Sequence, residues 1–167
     1  MMRYFSTFLS LAALFSGLFV NISHAADSSP EFEQFAQIAQ AAADRQGATI
    51  LVQYDAEKRL LHIAREFKVN QYRKMTQVQS VKIDDLEPVA ELGTSSVVQD
   101  PWLKIHCINK KKQVQLDSTQ EINNVLDEDL TKQERLALLT LPCYPSELKK
   151  LADAYARFRQ SVATVKK

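Results

Sequence analysis

Glycine is scarce, with three residues in a chain of 167. No GxGxxG or Walker-type run can be assembled from so few, which excludes the glycine loops that cradle phosphates. A dominant sign of charge is missing as well, because 21 basic residues stand against 20 acidic ones. That balance gives no overall drive toward nucleic acid or an anionic membrane. Only two cysteines and three histidines are present, and neither CxxC nor HxxxH spacing occurs among them. Such a set is too thin for a metal cluster. No internal repeat and no low-complexity tract interrupts the chain. The expectation is a protein with no cofactor, no metal and no nucleic-acid partner.

What is present begins with an apolar run. The chain opens MMRYFSTFLSLAALFSGLFVNISHA, in which Arg3 is the only charge before Asp27. A basic start, an apolar stretch over 5–22, and small residues at Ser23 and Ala25 form the pattern of a secretory signal peptide cleaved before Ala26. The competing reading is an uncleaved anchor, since the run approaches spanning length. The expectation is a signal peptide over 1–25 and a single α+β domain over 26–167. That domain is exported, periplasmic or secreted, with no stable membrane anchor after cleavage.

The two cysteines bear on the same compartment, because disulfides persist outside the cytosol. In WLKIHCI (102–108), alternation puts Leu103, Ile105 and Cys107 on one face. In LALLTLPC (136–143), read as extended, Cys143 shares a face with Leu139 and Leu141. Both sulfurs then border an apolar layer, and a Cys107–Cys143 disulfide is expected. A nucleophilic role for Cys107 lacks an activating base, because His106 points to the opposite face of the same strand. His62 is the one histidine left that could approach it in space.

The spacing predicts a helix from Ser29 as N-cap and Pro30 as first residue, with Phe32, Phe35, Ile38, Ala39 and Ala42 inward and Gly47 as the stop. Strands follow at 48–54 and 60–69, joined by the polar turn DAEKR (55–59), then at 73–83. In the second, Leu61, Ile63, Phe67 and Val69 share the inward face, while His62, Glu66 and Lys68 face water. A short strand is expected at 95–99, then the strand of Cys107, a tip at 109–111, and a return over 113–116. Residues 117–133, densest in acid at Asp127, Glu128 and Asp129, read as a surface loop. The piece 134–142 is either a helix opened by a Thr131/Glu134 capping box or a final buried strand, the strand being preferred. A long helix capped by Ser146 closes the chain, with Leu148, Leu151, Ala152, Tyr155, Phe158 and Val162 as its apolar stripe.

Helix, about six or seven antiparallel strands and a closing helix resemble a pleckstrin-homology-like (PH-like) barrel with an added N-terminal helix. A cystatin-like sheet wrapped on the first helix is the alternative. WxxIxC (102–107), a lysine-rich turn, and PCYP (142–145) before ELxxLA are similar to small exported proteins that carry no assigned reaction. In those, a strand cysteine pairs with one just ahead of the closing helix. The resemblance implies a fold rather than a reaction. Three functions remain in competition. One is a non-enzymatic binding module for a protein or peptide partner, with Trp102, Lys110, Lys111 and Lys112 as candidate contacts. A second is a carrier of a small apolar ligand or lipid beneath the small residues Ala39, Ala42, Ala152 and Ala156. The last is an enzyme using His62, Glu66 and His106 for acid–base work.

Overall fold

In the computed structural model, residues 29–44, 48–94 and 101–164 are described. The signal peptide expected at 1–25, the stop at Gly47 and the strand expected at 95–99 lie outside them. Helix α1 spans Pro30–Asp44. Ser29 caps it, its hydroxyl accepting the Phe32 N–H at 3.3 Å. Strands β1 (Ala48–Asp55), β2 (Leu60–Asn70) and β3 (Arg73–Lys82) follow as a meander. Next come β4 (Glu91–Thr94), β5 (Pro101–His106), β6 (Val114–Ile122), β7 (Val125–Leu136) and β8 (Leu138–Pro142). Helix α2, Pro145–Thr164, ends the described chain. It starts one residue before the expected cap, with Pro145 first and the Tyr144 carbonyl accepting the N–H groups of Glu147 and Leu148.

The strands form two antiparallel sheets, in the orders β1-β2-β3-β6-β7 and β4-β5-β8. Among the described residues they do not close on each other, so the PH-like barrel is corrected to an open α+β arrangement. The preferred strand at 134–142 is present, but it belongs to both sheets. The chain pairs with β6 up to Leu136, bends at Ala137, and pairs with β5 from Leu138. A bend that passes one strand between two sheets turns the corner that bulges serve in orthogonal packings.

Aromatic side chains fill the space between the helices and the sheets. Phe35 stacks on Phe158 at 5.9 Å, Phe32 lies 5.2 Å from Phe158, and Tyr54 meets the same ring edge-on at 5.1 Å. Each such side chain taken from water contributes on the order of 1.5–3 kcal/mol. Two polar contacts fix the position of α2. The buried Tyr155 hydroxyl donates to the Glu87 carbonyl at 2.6 Å. Arg59 grips Asp84 with two bonds, of 2.6 and 2.8 Å, and donates to the Val162 carbonyl near the helix end. The expected stripe of α2 is buried, with Ala152 partly so, and Ala154 joins it.

One buried polar side chain bridges the two sheets. Gln79 on β3 is the only buried polar residue among those described. Its amide nitrogen donates to the Thr140 carbonyl at 2.9 Å, and its amide oxygen accepts the Thr140 N–H at 3.0 Å. A side-chain amide here takes the place of a peptide group and completes the edge of β8. Beyond Gln79 and Ala64, strands β2, β3, β6 and β7 run on with no buried side chain among the described residues. From Val78 to Arg73 that extension measures about 17 Å at the rise of a strand. Val69, expected inward, is 50% exposed there.

The acidic segment expected as a loop is the β6–β7 hairpin of this arm. Asn123 and Asn124, with φ of 53° and 64°, make the tight turn at its tip. Two consecutive positive-φ asparagines suit the primed turns that match strand twist.

Replacing Gln79 with leucine should strand both the N–H and the carbonyl of Thr140. Each orphaned buried group costs about 1–3 kcal/mol, so a loss of about 2–4 kcal/mol in the free energy of unfolding is expected by urea titration.

Candidate functional site

Strand alternation directs the two described histidines, His62 and His106, away from the core, one from each sheet. His62 lies between the buried Leu61 and Ile63 and shares a 2.8 Å hydrogen bond with the Ser80 hydroxyl on β3. His106 lies between Ile105 and Cys107, and its Nε2–H donates to the Glu91 carboxylate on β4 at 2.7 Å. Glu66 is engaged elsewhere, 3.4 Å from the Lys74 ammonium, which also contacts Glu121 at 3.0 Å. The expected trio His62, Glu66 and His106 is therefore spread over two sheets and three separate sets of partners.

The cysteines share the apolar layer as expected but do not meet. Both are buried free thiols, and the Cys107–Cys143 disulfide is corrected on the β5–β8 register. Trp102 pairs with Pro142, while the Cys107 N–H bonds the Ala137 carbonyl. Five strand positions separate the ends of this ladder, about 17 Å at the rise of a strand. A disulfide needs a Cα separation of about 4.4–6.8 Å. Burial, with the Glu147 carboxylate nearby, pushes the Cys143 thiol up to about 11. A thiol so disfavoured as thiolate is a poor nucleophile and a poor metal ligand. Among the described residues, no three His, Cys, Asp or Glu side chains gather where a metal could sit.

The candidate contacts fall at the two ends of β5. Trp102 is half-buried at its start, and the Arg65 guanidinium lies 5.3 Å from its ring and 4.6 Å from that of Phe67. At the other end, Lys110, Lys111 and Lys112 are all exposed, on the turn Ile108–Lys110 and just after it. Asn109 and Lys110 take φ of 58° and 54°, and the Lys110 N–H closes onto the Cys107 carbonyl at 2.9 Å. The lysines thus stand on a fixed backbone next to a buried residue. Trp102 and the lysine turn do not form one patch.

Of the small residues expected to leave room for a ligand, Ala39 and Ala42 are buried in the core and Ala156 is exposed. A depression of about 160 Å³ lies beside α1, lined by Gln37, Ile38, Ala41, Ala42 and Glu147. That volume is below the roughly 300–1,000 Å³ usual for a small-molecule site.

The sequence reading missed Arg65 and Gln79, and both had left a signal. Each is a polar residue at an inward position of a strand whose neighbours two places away include Ile63 and Val81. It also missed the exposed apolar end of the arm, formed by Val69, Tyr72, Val125 and Leu126. The Asn-Asn pair at 123–124 was the sign of a hairpin there. Compared with known protein families, curated proteins and solved structures, the chain matches none.

Two outcomes follow for measurement. Under native conditions Cys107 and Cys143 should resist a thiol reagent such as DTNB, and two thiols per chain should react once denaturant is added without reductant. Burial holds the His62 imidazole below its ordinary pKa, with Asp55 pulling it up and Lys58 pushing it down. As pH falls the unfolded chain takes up this proton first, so stability declines from about pH 6.5 downward. Thermal melts from about pH 7.5 to 5.5 should show that decline, and His62→Gln should flatten it.

Proposed function

We propose that this chain is a non-enzymatic binding module, exported to the cell envelope or beyond, that recognises an acidic region of a protein or peptide partner. The observation that carries the reading is the lysine turn. Three consecutive ammonium groups stand exposed on a backbone held by its own hydrogen bond, at the end of a strand that is paired on both sides. Fixing a turn before binding lowers the entropy lost on association, and clustered charge speeds encounter with an oppositely charged surface. Trp102, packed against Arg65, serves as an anchor of the strand rather than as a contact in this reading. Export rests on the composition of residues 1–25.

A photo-crosslinking amino acid at position 111, in cells expressing the full chain, tests the contact. Crosslinked products are expected from position 111 and not from a control at Glu57, which is also exposed. Changing Lys110 and Lys112 to glutamate should reduce them by about tenfold. Equal products from both positions, or no change with glutamate, would remove the lysine turn from the reading.

A further inference from the structure

The far end of the arm is built from two hairpin tips. Asn70 accepts the N–H groups of Tyr72 at 2.9 Å and Arg73 at 2.8 Å, which shapes the β2–β3 tip. The β6–β7 tip turns on Asn123 and Asn124, and the Asn123 N–H donates to the Tyr72 carbonyl at 2.8 Å, tying the two tips together. Four large apolar side chains surround this end: Val69 at 50% exposed, Tyr72 at 60%, Val125 at 68% and Leu126 at 44%. Val125 and Leu126 are strand neighbours and point to opposite faces, so the apolar side chains ring the end of the sheet, and exposed apolar surface gathered there is a mark of an interaction surface.

Nearest the two tips, exposed charge is sorted by hairpin. The β2–β3 hairpin carries Lys68 and Arg73, both exposed, while the β6–β7 hairpin carries the exposed Glu128 and Asp129 with Asp127 beside them. A uniformly acidic or basic partner would meet like charge on one of the two hairpins. An anionic membrane would be repelled by the β6–β7 side. A second copy of this chain meets neither problem. With arms end to end and a two-fold axis normal to the sheet, each basic hairpin faces the acidic hairpin of the other copy. That self-complementarity is the requirement of an isologous contact.

We infer that the end of the arm is a self-association surface, where two copies meet through Val69, Tyr72, Val125 and Leu126, with the basic β2–β3 hairpin of each opposed to the acidic β6–β7 hairpin of the other. The lysine turn lies at the opposite end of β6, so this contact leaves it free. The inference does not depend on the partner of that turn. The surface is small, so the dimer is reversible and salt-sensitive.

The test is sedimentation velocity on the protein recovered from expression of the full sequence, over about 5–500 µM, a range suited to a weak dimer. A reversible monomer–dimer equilibrium is expected, weakening as salt is raised. Lys68→Glu with Arg73→Glu should give a monomer, and so should Glu128→Lys with Asp129→Lys. Mixing the two charge-reversed variants should restore the dimer, a result that damage to folding cannot produce. Tyr72→Ser, which leaves the charges in place, should also weaken association by about tenfold. A wild-type chain that stays monomeric throughout would overturn the inference. A dimer indifferent to all three variants, or a monomer that instead pellets with phosphatidylcholine vesicles, would do the same.

Discussion

The amide of Gln79 satisfies the backbone of Thr140 at the free edge of β8. β8 is paired with β5 on one side only, and its other edge turns toward the face of the larger sheet at β3. Water cannot serve a buried edge, and the face of a sheet offers no main-chain donors or acceptors. A glutamine at the inward position supplies one of each, at 2.9 and 3.0 Å from Thr140. Low polarity around the pair strengthens both bonds and makes their loss expensive. The bend at Ala137 and the packing of α2 on β4 and β5 go with this meeting of the two sheets.

That junction also divides the molecule. On one side lie the helices, both cysteines and nearly every buried side chain. On the other, β2, β3, β6 and β7 run past the core, their described side chains half-buried or exposed. Strands that bury no side chain are held by their ladders, their turns and their cross-strand pairs rather than by burial. The Lys74 ammonium between Glu66 and Glu121 is such a pair, though partly exposed ion pairs add little each. Features open to a partner sit at the extremities, the lysine turn at one end of β6 and the apolar tip at the other.

How much of this was legible depends on how each segment meets the core. Helix α1, β1, the core-side halves of β2 and β3, and α2 bury one face, so apolar residues recur there at period 3.6 or 2 and the sequence showed them. Segment 117–133 buries no face and shows no such period, which is why an ordered hairpin reads as a loop. Closure of the strands into a barrel is a long-range property that local alternation does not encode. The same holds for the cysteines. Their shared face follows from alternation at Leu103, Ile105, Leu139 and Leu141, but their distance follows from the β5–β8 register, which a single sequence does not contain. Of the candidate contacts, Lys110, Lys111 and Lys112 are exposed as the sequence suggested, whereas Trp102 is half-buried against Arg65.

Amide hydrogen exchange followed residue by residue tests the central role of the Gln79 junction most directly. If Gln79 closes the edge of β8, the Thr140 amide exchanges only through global unfolding, among the slowest in the chain. Amides near Tyr72 and Asn124, at the far end of the arm, then exchange through much cheaper local opening. A Thr140 amide that exchanges as fast as the tip would contradict the account, because it would show that the two sheets are not joined through Gln79.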